Sequence, residues 1–215
     1  MPQLTVRCLP LVWTHLRRGP SGRLSAPERG PEFLNPHVSS PFVHLRALAP
    51  SRALTVAESY HLASRQARRL LVHLGVVDPP VATSRLISIP RLEVVTRPDL
   101  PVSAFAKWIG THWLVGLNST EPVTRRRFSL AHEIKHIVDS PIEGDIYEHL
   151  SHRDRERIAD YFAACLLMPW EWVMSRAGAN QDIRGLAKSF GVSQLAMRVR
   201  LASHVAAGKS APLAD

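Results

Sequence analysis

Two histidines and a glutamate in the middle of the chain have the spacing of a metal site. His132 and His136 are four residues apart within the apolar segment 128–138, and Glu133 follows the first histidine. Because a helix advances by about 100° per residue, residues four apart share one face, and both imidazoles can bind the same ion. Glu133 lies beside that face, where its carboxylate can take a proton from a water molecule on the metal. The pattern therefore predicts metal-dependent hydrolysis.

A second segment supplies a third metal ligand. A hydrolytic zinc site needs three protein ligands and one open position. Glu156 and Asp160 are four residues apart, in a segment whose apolar residues recur at helical spacing. We predict that Glu156 binds the metal with His132 and His136, and that Asp160 accepts the remaining N–H of a ligating histidine and fixes its tautomer. We predict Zn²⁺, with Mn²⁺ as the alternative, since two imidazoles and a carboxylate suit either ion.

Other sources of the third ligand are weaker. A metzincin would continue the first motif with Gly and His at the places that Asp139 and Ile142 occupy, so this class of site is excluded. His149, His152 and Asp154 lie nearby in a polar connection, where we expect them to be exposed. The glutamate of the second helix is therefore the preferred ligand over all three.

A donor is also needed to stabilise the oxyanion or protonate the leaving group. Tyr147, His149 and His152 are the candidates, and the sequence does not choose among them. The basic run 125–127 precedes the metal motif and is either a solvated patch or a contact for an acidic substrate segment. We favour the solvated patch.

The two motifs together resemble those of the ImmA/IrrE family of metallo-endopeptidases, which are zincins with a downstream E-x-x-x-D. The resemblance runs over residues 58–205 and is strongest in 125–136 and 156–169. It implies cleavage of a helix–turn–helix repressor, which relieves repression in stress, phage or mobile-element regulation or in toxin–antitoxin-like pairs. Two positions depart from the family: Lys135 stands where it often has Gly, and Ile158 where it often has Glu.

The periodicity predicts an α+β fold, namely a mainly helical, zincin-like domain with a small sheet before the metal helix. Thr55 and Glu58 have the spacing of a capping box for a helix that ends at Gly75. Thr124 is predicted to cap the metal helix. Strands are expected at 92–96, 103–108 and 112–117. We expect residues 112–118 to form the sheet edge that pairs with an extended substrate, or simply to pack in the sheet.

The C-terminal segment 182–206 is predicted to form a helix–turn–helix-like pair, with Asp182 and Ser193 as the caps. Such a pair can place its second helix in the major groove of DNA, with Arg198 and Arg200 as the contacts. We favour the alternative that the pair closes the peptidase core. A DNA-binding transcriptional regulator with a purely structural zinc site is therefore the competing function.

Composition sets the domain boundaries. Residues 1–52 are rich in Pro, Arg, Ser and Gly and contain no acid before Glu28, which predicts a disordered or non-native extension outside the core. Residues 53–206 should form the metallopeptidase domain, which includes the pair 182–206, and 207–215 a flexible tail.

The overall charge and the cysteine content indicate where the protein works. The net charge of +9 suits an acidic partner or nucleic acid, but it is spread along the 215 residues. Two cysteines do not make a disulfide scaffold, so we expect a cytoplasmic location. No apolar run reaches about 18 residues, so no membrane span is expected.

Overall fold

The computed structural model describes residues 40–177 and 182–208. These residues form a mixed α+β fold in which helices surround a small sheet. The helices and strands, in chain order, are α1 (Pro41–Arg46), α2 (Val56–His73), α3 (Thr83–Ile87), β1 (Leu92–Arg97), β2 (Ala104–Trp108), β3 (Trp113–Asn118), α4 (Val123–Asp139), α5 (Glu143–Ile146), α6 (His152–Leu167), α7 (Trp170–Ala177), α8 (Ile183–Phe190) and α9 (Gln194–Gly208).

The sheet has the order β1-β3-β2, and β3 is its central strand. β1 runs parallel to β3, with Val94 opposite Val115. β2 runs antiparallel to β3, with Ala106 opposite Val115. Both edges of β3 are thus occupied, so the prediction that residues 112–118 offer an edge to a substrate is wrong. β2 packs against α4. In the described part of the chain, one edge of β2 pairs with β3 and its other edge pairs with no strand.

The helix that carries the metal motif is packed on several sides. α4 packs against α6, against the strands β2 and β3, and against α1. α6 also packs along α2. Apolar residues of α4 and α6 recur at three- and four-residue spacing and are fully buried, as an amphipathic helix facing a core requires. They include Leu130, Ile134, Ile137, Ile158, Phe162 and Leu166. This packing fixes the rotation of α4 about its axis and hence the direction of its polar residues.

The start of α4 differs from its prediction. The helix begins at Val123 with Pro122 as its N-cap residue, and no side chain caps it. Thr124 lies inside the first turn, so the prediction that it caps the helix is wrong. Pro122 has φ −54° and a non-helical ψ of 148°, so the helix boundary lies two residues before the predicted cap.

Helix α1 is part of the core, which the composition of residues 1–52 concealed. Phe42 and Leu45 are 0% and 1% exposed. The guanidinium of Arg46 donates to the carbonyl oxygens of Ile137 and Val138 at 3.0 and 2.9 Å, at the C-terminal end of α4. The prediction that residues 1–52 stay outside the core is therefore wrong for 40–46. Residues 1–39 and 209–215, which hold most of the predicted extension and tail, lie outside the described residues.

Three other predicted helix starts are confirmed. Thr55 and Glu58 form the capping box of α2, with each side chain bonded to the backbone of the other residue. Asp182 caps α8 through the N–H of Gly185, at 2.6 Å. At the start of α9, the hydroxyl of Ser193 accepts from the N–H of Ala196 at 3.1 Å. Of the described helices, none is long and apolar enough to cross a membrane.

Candidate metal centre

Three side chains from α4 and α6 converge at one point. His132 and His136 lie one turn apart on α4, and their Nε2 atoms are 3.0 Å apart. Glu156 reaches from α6, with carboxylate oxygens 3.4 Å from Nε2 of His132 and 3.3 Å from Nε2 of His136. One ligand atom from each residue lies within 4.8 Å of the others. The three residues that the sequence proposed as ligands are thus brought together.

This donor set fits a metal ion. Ligand atoms placed tetrahedrally about 2.0–2.1 Å from zinc are roughly 3.3 Å from one another, which is close to the separations found here. Two neutral imidazoles would turn lone pairs towards each other across 3.0 Å, which is unfavourable unless a proton or a cation lies between them. Two imidazoles and one carboxylate could therefore hold a divalent ion, with a further position left for water or substrate.

Asp160 lies behind the first histidine. Its Oδ1 is 2.9 Å from Nδ1 of His132. His132 itself is only 4% exposed, so this carboxylate is the main polar partner of that ring nitrogen. The contact keeps the proton on Nδ1 and leaves the lone pair of Nε2 directed to the metal position. Because α6 provides both Glu156 and Asp160, its packing on α4 sets the geometry of the whole centre.

The protonation of the centre reflects its charges. Burial lowers the pKa of His132, but hydrogen bonds to the carboxylates of Asp160 and Glu156 outweigh burial and raise this pKa to about 9. Burial raises the pKa of Glu156, yet the two histidines lower it well below its usual range. In the metal-free protein, a proton on the imidazole of His132 thus balances part of the carboxylate charge. A bound cation would take over this role and displace that proton.

Glu133 lies next to the ligands but is held differently. It is 8% exposed, and burial raises the pKa of its carboxyl, while the neighbouring imidazoles of His136 and His132 oppose the rise. A backbone hydrogen bond from Ala106 of β2 also lowers this pKa. A carboxylate with a raised pKa at the edge of a metal site is suited to accept and return a proton. The contact also joins Glu133 to β2, the strand with one unpaired edge.

A narrow cleft opens beside these groups. The cleft is lined by the start of β2, by the N-terminal and central parts of α4 and by one residue of α6. The lining residues are Ser103, Ala104, Arg125, Phe128, Ser129, His132, Glu133 and Asp160. Of the basic run 125–127, only Arg125 reaches this cleft. Arg127 instead donates to the carbonyl oxygen of Val81, at 2.7 Å.

A sequence profile of the IrrE N-terminal-like domain matches residues 94–202, which is just over half of the chain. The chain belongs to the IrrE-like peptidase family. No curated protein sequence matches it. Among solved structures, a Mycobacterium tuberculosis transcriptional regulator is similar, with a TM-score of 0.51 and 20% identity. The match covers 76% of this chain and 52% of that protein, so this IrrE-like chain spans about half the length of that neighbour, and the likeness shows the fold alone.

This IrrE-like chain has a buried ionic cluster that the sequence did not predict. Lys135 is 1% exposed, and its Nζ lies 2.7 Å from Gln66 Oε1, 2.6 Å from Asp139 Oδ2 and 3.0 Å from the hydroxyl of Tyr147. Burial lowers the pKa of Lys135, and Asp139 opposes this. The i, i+4 spacing of Lys135 and Asp139 is the one sequence signal that could have identified the pair.

The three predicted proton donors are placed differently from one another. Tyr147 is 2% exposed, and its hydroxyl donates to Asp139 at 2.8 Å, so the structure commits it to the ionic cluster and not to the metal centre. His149 lies 3.8 Å from Glu148 in an exposed turn. His152 is closest to the centre, with Nδ1 3.9 Å from Oε1 of Glu156 and an exposed ring.

The predicted DNA contacts on α9 are also separated. Arg198 is exposed. Arg200 is 7% exposed, donates from Nε to the carbonyl oxygen of Met168 at 3.0 Å, and lies over the ring of Tyr161. The prediction of Arg200 as a DNA contact is therefore wrong, because its guanidinium is committed to the end of α6. α9 packs its buried face, including Met197, against the IrrE-like core.

Proposed function

We propose that this protein is a zinc-dependent endopeptidase that hydrolyses a peptide bond in a helix–turn–helix repressor. The observation that carries the proposal is the convergence of His132, His136 and Glu156 within 4.8 Å, with Glu133 beside them. A structural metal site has no need of an adjacent carboxylate whose pKa burial raises. A hydrolytic site does need one.

The residues divide the chemistry among them. His132, His136 and Glu156 would hold the ion, and Asp160 fixes the orientation of His132 through the 2.9 Å contact. Zinc in such a site lowers the pKa of water and polarises the scissile carbonyl. Glu133 takes the proton of the attacking water and passes it to the leaving nitrogen. The raised pKa of Glu133 makes the protonated form accessible between these two steps.

The free edge of β2 is suited to bind the substrate backbone. An extended peptide can add to an exposed sheet edge through main-chain hydrogen bonds. β2 passes the centre at Ala106, whose backbone contacts Glu133, and its first residue, Ala104, lines the cleft. A peptide paired with β2 would therefore place one of its bonds over the metal position. Arg125, half-exposed at the cleft wall, is placed to meet a side chain of that peptide.

The substrate class rests on family membership. The family resemblance implies cleavage of helix–turn–helix repressors. The similar Mycobacterium tuberculosis protein is described as a transcriptional regulator, which is compatible with a role near transcription. We propose that the activity serves to relieve repression in stress, phage or mobile-element regulation, or in a toxin–antitoxin-like pair, and that it acts in the cytoplasm.

The competing function is a transcriptional regulator that binds DNA through α8 and α9 and uses zinc only for structure. Two observations weigh against it. Arg200, one of its two contacts, is buried against Met168. Glu133 would moreover have no task at a structural ion. Of the two predicted contacts, Arg198 is the exposed one.

The test is cleavage of a helix–turn–helix repressor, chosen as the product of any such gene that neighbours this one. The purified full chain, loaded with one equivalent of zinc, is incubated with that repressor, and products are identified by mass spectrometry. We expect a single cut with the wild type, and a rate about 10²–10⁴-fold lower with Glu133→Gln, which should still bind zinc. Glu148→Gln is the matched control, because this glutamate is largely exposed. If Glu133→Gln cleaves as fast as wild type, the proposed mechanism is wrong.

A further inference from the structure

Five of the eight exposed residues of α2 are basic, and the other three are Val56, Ala57 and Val72. Helical spacing of three, four and seven residues places its exposed basic side chains on one face. We call this set the α2 basic face; it consists of His61, Arg65, Arg68, Arg69 and His73. It lies before residue 94, where the family match begins, and none of its members touches the metal centre.

No carboxylate neutralises this face from its own helix. The sequence has no Asp or Glu from Ser59 to Val77. Glu58, at the start of α2, is already bound by Arg52 at 2.6 Å and by the N–H of Thr55 at 2.9 Å. Among the described residues, no hydrogen bond or ion pair engages the side chains of Arg65, Arg68 and Arg69.

The opposite side of α2 is buried in the core, which limits the kinds of partner that this helix can bind. Leu62, Ala63, Ala67 and Leu70 are at most 4% exposed and belong to the core. The apolar side of the helix is thus occupied, and α2 cannot insert an apolar stripe into a lipid surface. What remains for a partner is a row of guanidinium groups, so the partner must be recognised by its charge.

The spacing and type of these cations match a phosphate backbone. From His61 to His73 the helix rises about 18 Å, a length along which duplex DNA carries roughly ten phosphate charges. All three fixed cations are arginines, whose planar forks bind phosphate oxygens in pairs. An acidic protein surface seldom offers carboxylates at such regular and dense spacing, whereas a duplex carries a phosphate charge at every nucleotide.

We propose that the α2 basic face binds the phosphate backbone of duplex DNA without sequence preference. The contact would hold the protein on DNA independently of α9, which supplied the DNA contacts expected from the sequence. The inference does not depend on the peptidase activity, since no residue of the face takes part in the metal centre.

The test is binding of the full chain to a fluorescent 25-base-pair duplex of arbitrary sequence, followed by anisotropy between 50 and 200 mM salt. We expect the dissociation constant to rise with salt, as release of counterions requires. The triple variant Arg65→Glu, Arg68→Glu, Arg69→Glu should bind at least tenfold more weakly at 50 mM salt. Its plot of log affinity against log salt should be shallower by about three.

The matched control carries the same change of net charge elsewhere. Arg85, Arg97 and Arg153 are exposed arginines of α3, β1 and α6, outside the pair α8–α9, and their triple change to Glu also lowers the charge by six. We expect this control to retain most of the affinity, and circular dichroism checks that both proteins fold. If the α2 variant unfolds, the triple change to Gln at the same positions replaces it, with a triple Gln control.

Several outcomes would overturn the proposal. The first is equal weakening by the control, which would mean that net charge alone attracts DNA. The second is loss of binding on Arg198→Glu with no effect of the α2 variant. The third is absence of duplex binding at 50 mM salt, or binding of polyglutamate or single-stranded RNA tenfold more tightly than duplex. Cleavage of the repressor, measured on the same variants, is expected to be unchanged with free repressor.

Discussion

Asp160 and His132 are joined across two helices, with Oδ1 of the aspartate 2.9 Å from Nδ1 of the imidazole. This contact links α6 to α4 at the point where both helices supply candidate metal ligands. The aspartate does not need to touch the metal to matter, because it decides which nitrogen of His132 carries the proton.

The first prediction concerns this contact. Asp160→Asn keeps the side-chain shape but can present its NH₂ to Nδ1, which favours the tautomer whose Nε2 is protonated. We expect zinc affinity to fall about 10–100-fold. Competition with a chromophoric chelator measures it. Asp145→Asn, in the exposed turn of α5, is the control and should leave the affinity unchanged. An unchanged zinc affinity in Asp160→Asn would show that this aspartate has no influence on metal binding.

The second prediction is the pH dependence of metal binding. The pKa of His132 is raised to about 9 in the metal-free protein, so a proton must leave when the ion binds at neutral pH. Apparent zinc affinity should therefore increase about tenfold per pH unit from pH 7 towards 9 and then level off. Calorimetry in buffers of different ionisation enthalpy should detect the released proton. A flat profile over this range would contradict the assignment.

The same shift has a consequence for stability. Since the folded-state pKa of His132 lies above its ordinary value of 6.5, its contribution to the stability of the metal-free protein is fully present below pH 6.5. It is lost as the pH rises through about 9. Metal-free protein should thus melt at a lower temperature at pH 9.5 than at pH 6.5, and added zinc should reduce this difference.

The third prediction concerns the buried pair of Lys135 and Asp139. Lys135→Met leaves the carboxylate of Asp139 in the core with the hydroxyl of Tyr147 as its remaining close donor. We expect a loss of about 3–5 kcal/mol in the free energy of unfolding, measured with urea. The double change Lys135→Met, Asp139→Leu removes both charges and should recover much of that loss. A single variant as stable as wild type would show that the pair is not charged in the core.

The fourth prediction compares two glycines with the same backbone conformation. Gly75 and Gly191 both have φ of +62°, so alanine at either position pays the strain of the left-handed region, about 1–2 kcal/mol. A Cβ at Gly75 meets nothing within 4 Å, whereas one at Gly191 overlaps the guanidinium of Arg127. Gly191→Ala should therefore cost about 1 kcal/mol more, because Arg127 must leave the carbonyl of Val81.

A second background tests the cause of that difference. In Arg127→Ala the overlap is gone, so the two alanine variants should become equally destabilising. Urea unfolding of the four alanine variants, two in the wild-type background and two in Arg127→Ala, measures this difference. A difference that persists without Arg127 would place the extra cost elsewhere.

The metal centre was predictable because each of its halves lies within one helix. The spacing of His132 and His136, and of Glu156 and Asp160, fixes which residues share a face before any tertiary contact is known. The capping box of Thr55 and Glu58 is equally local. Patterns of this kind depend on a few neighbouring residues.

The features that the sequence did not reveal depend on distant partners. Arg46 finds its acceptors 91 and 92 residues further along the chain. Lys135 is buried only because Gln66 and Tyr147 come from two other segments, and Arg200 because Met168 does. Long charged side chains are almost always exposed unless they are paired, and the local sequence pattern does not show which residues will pair. The order of the three strands has the same origin.

The position of β2 at the edge of the sheet constrains when a substrate can be cut. Main-chain pairing requires a stretch of several residues whose own N–H and C=O groups are unbound, which a folded helix or sheet does not offer. We therefore expect the conformational state of the target to control its cleavage. A linker that is sometimes undocked would be cut at a rate set by how often it opens, and a partner that seals the linker would protect it without touching the peptidase.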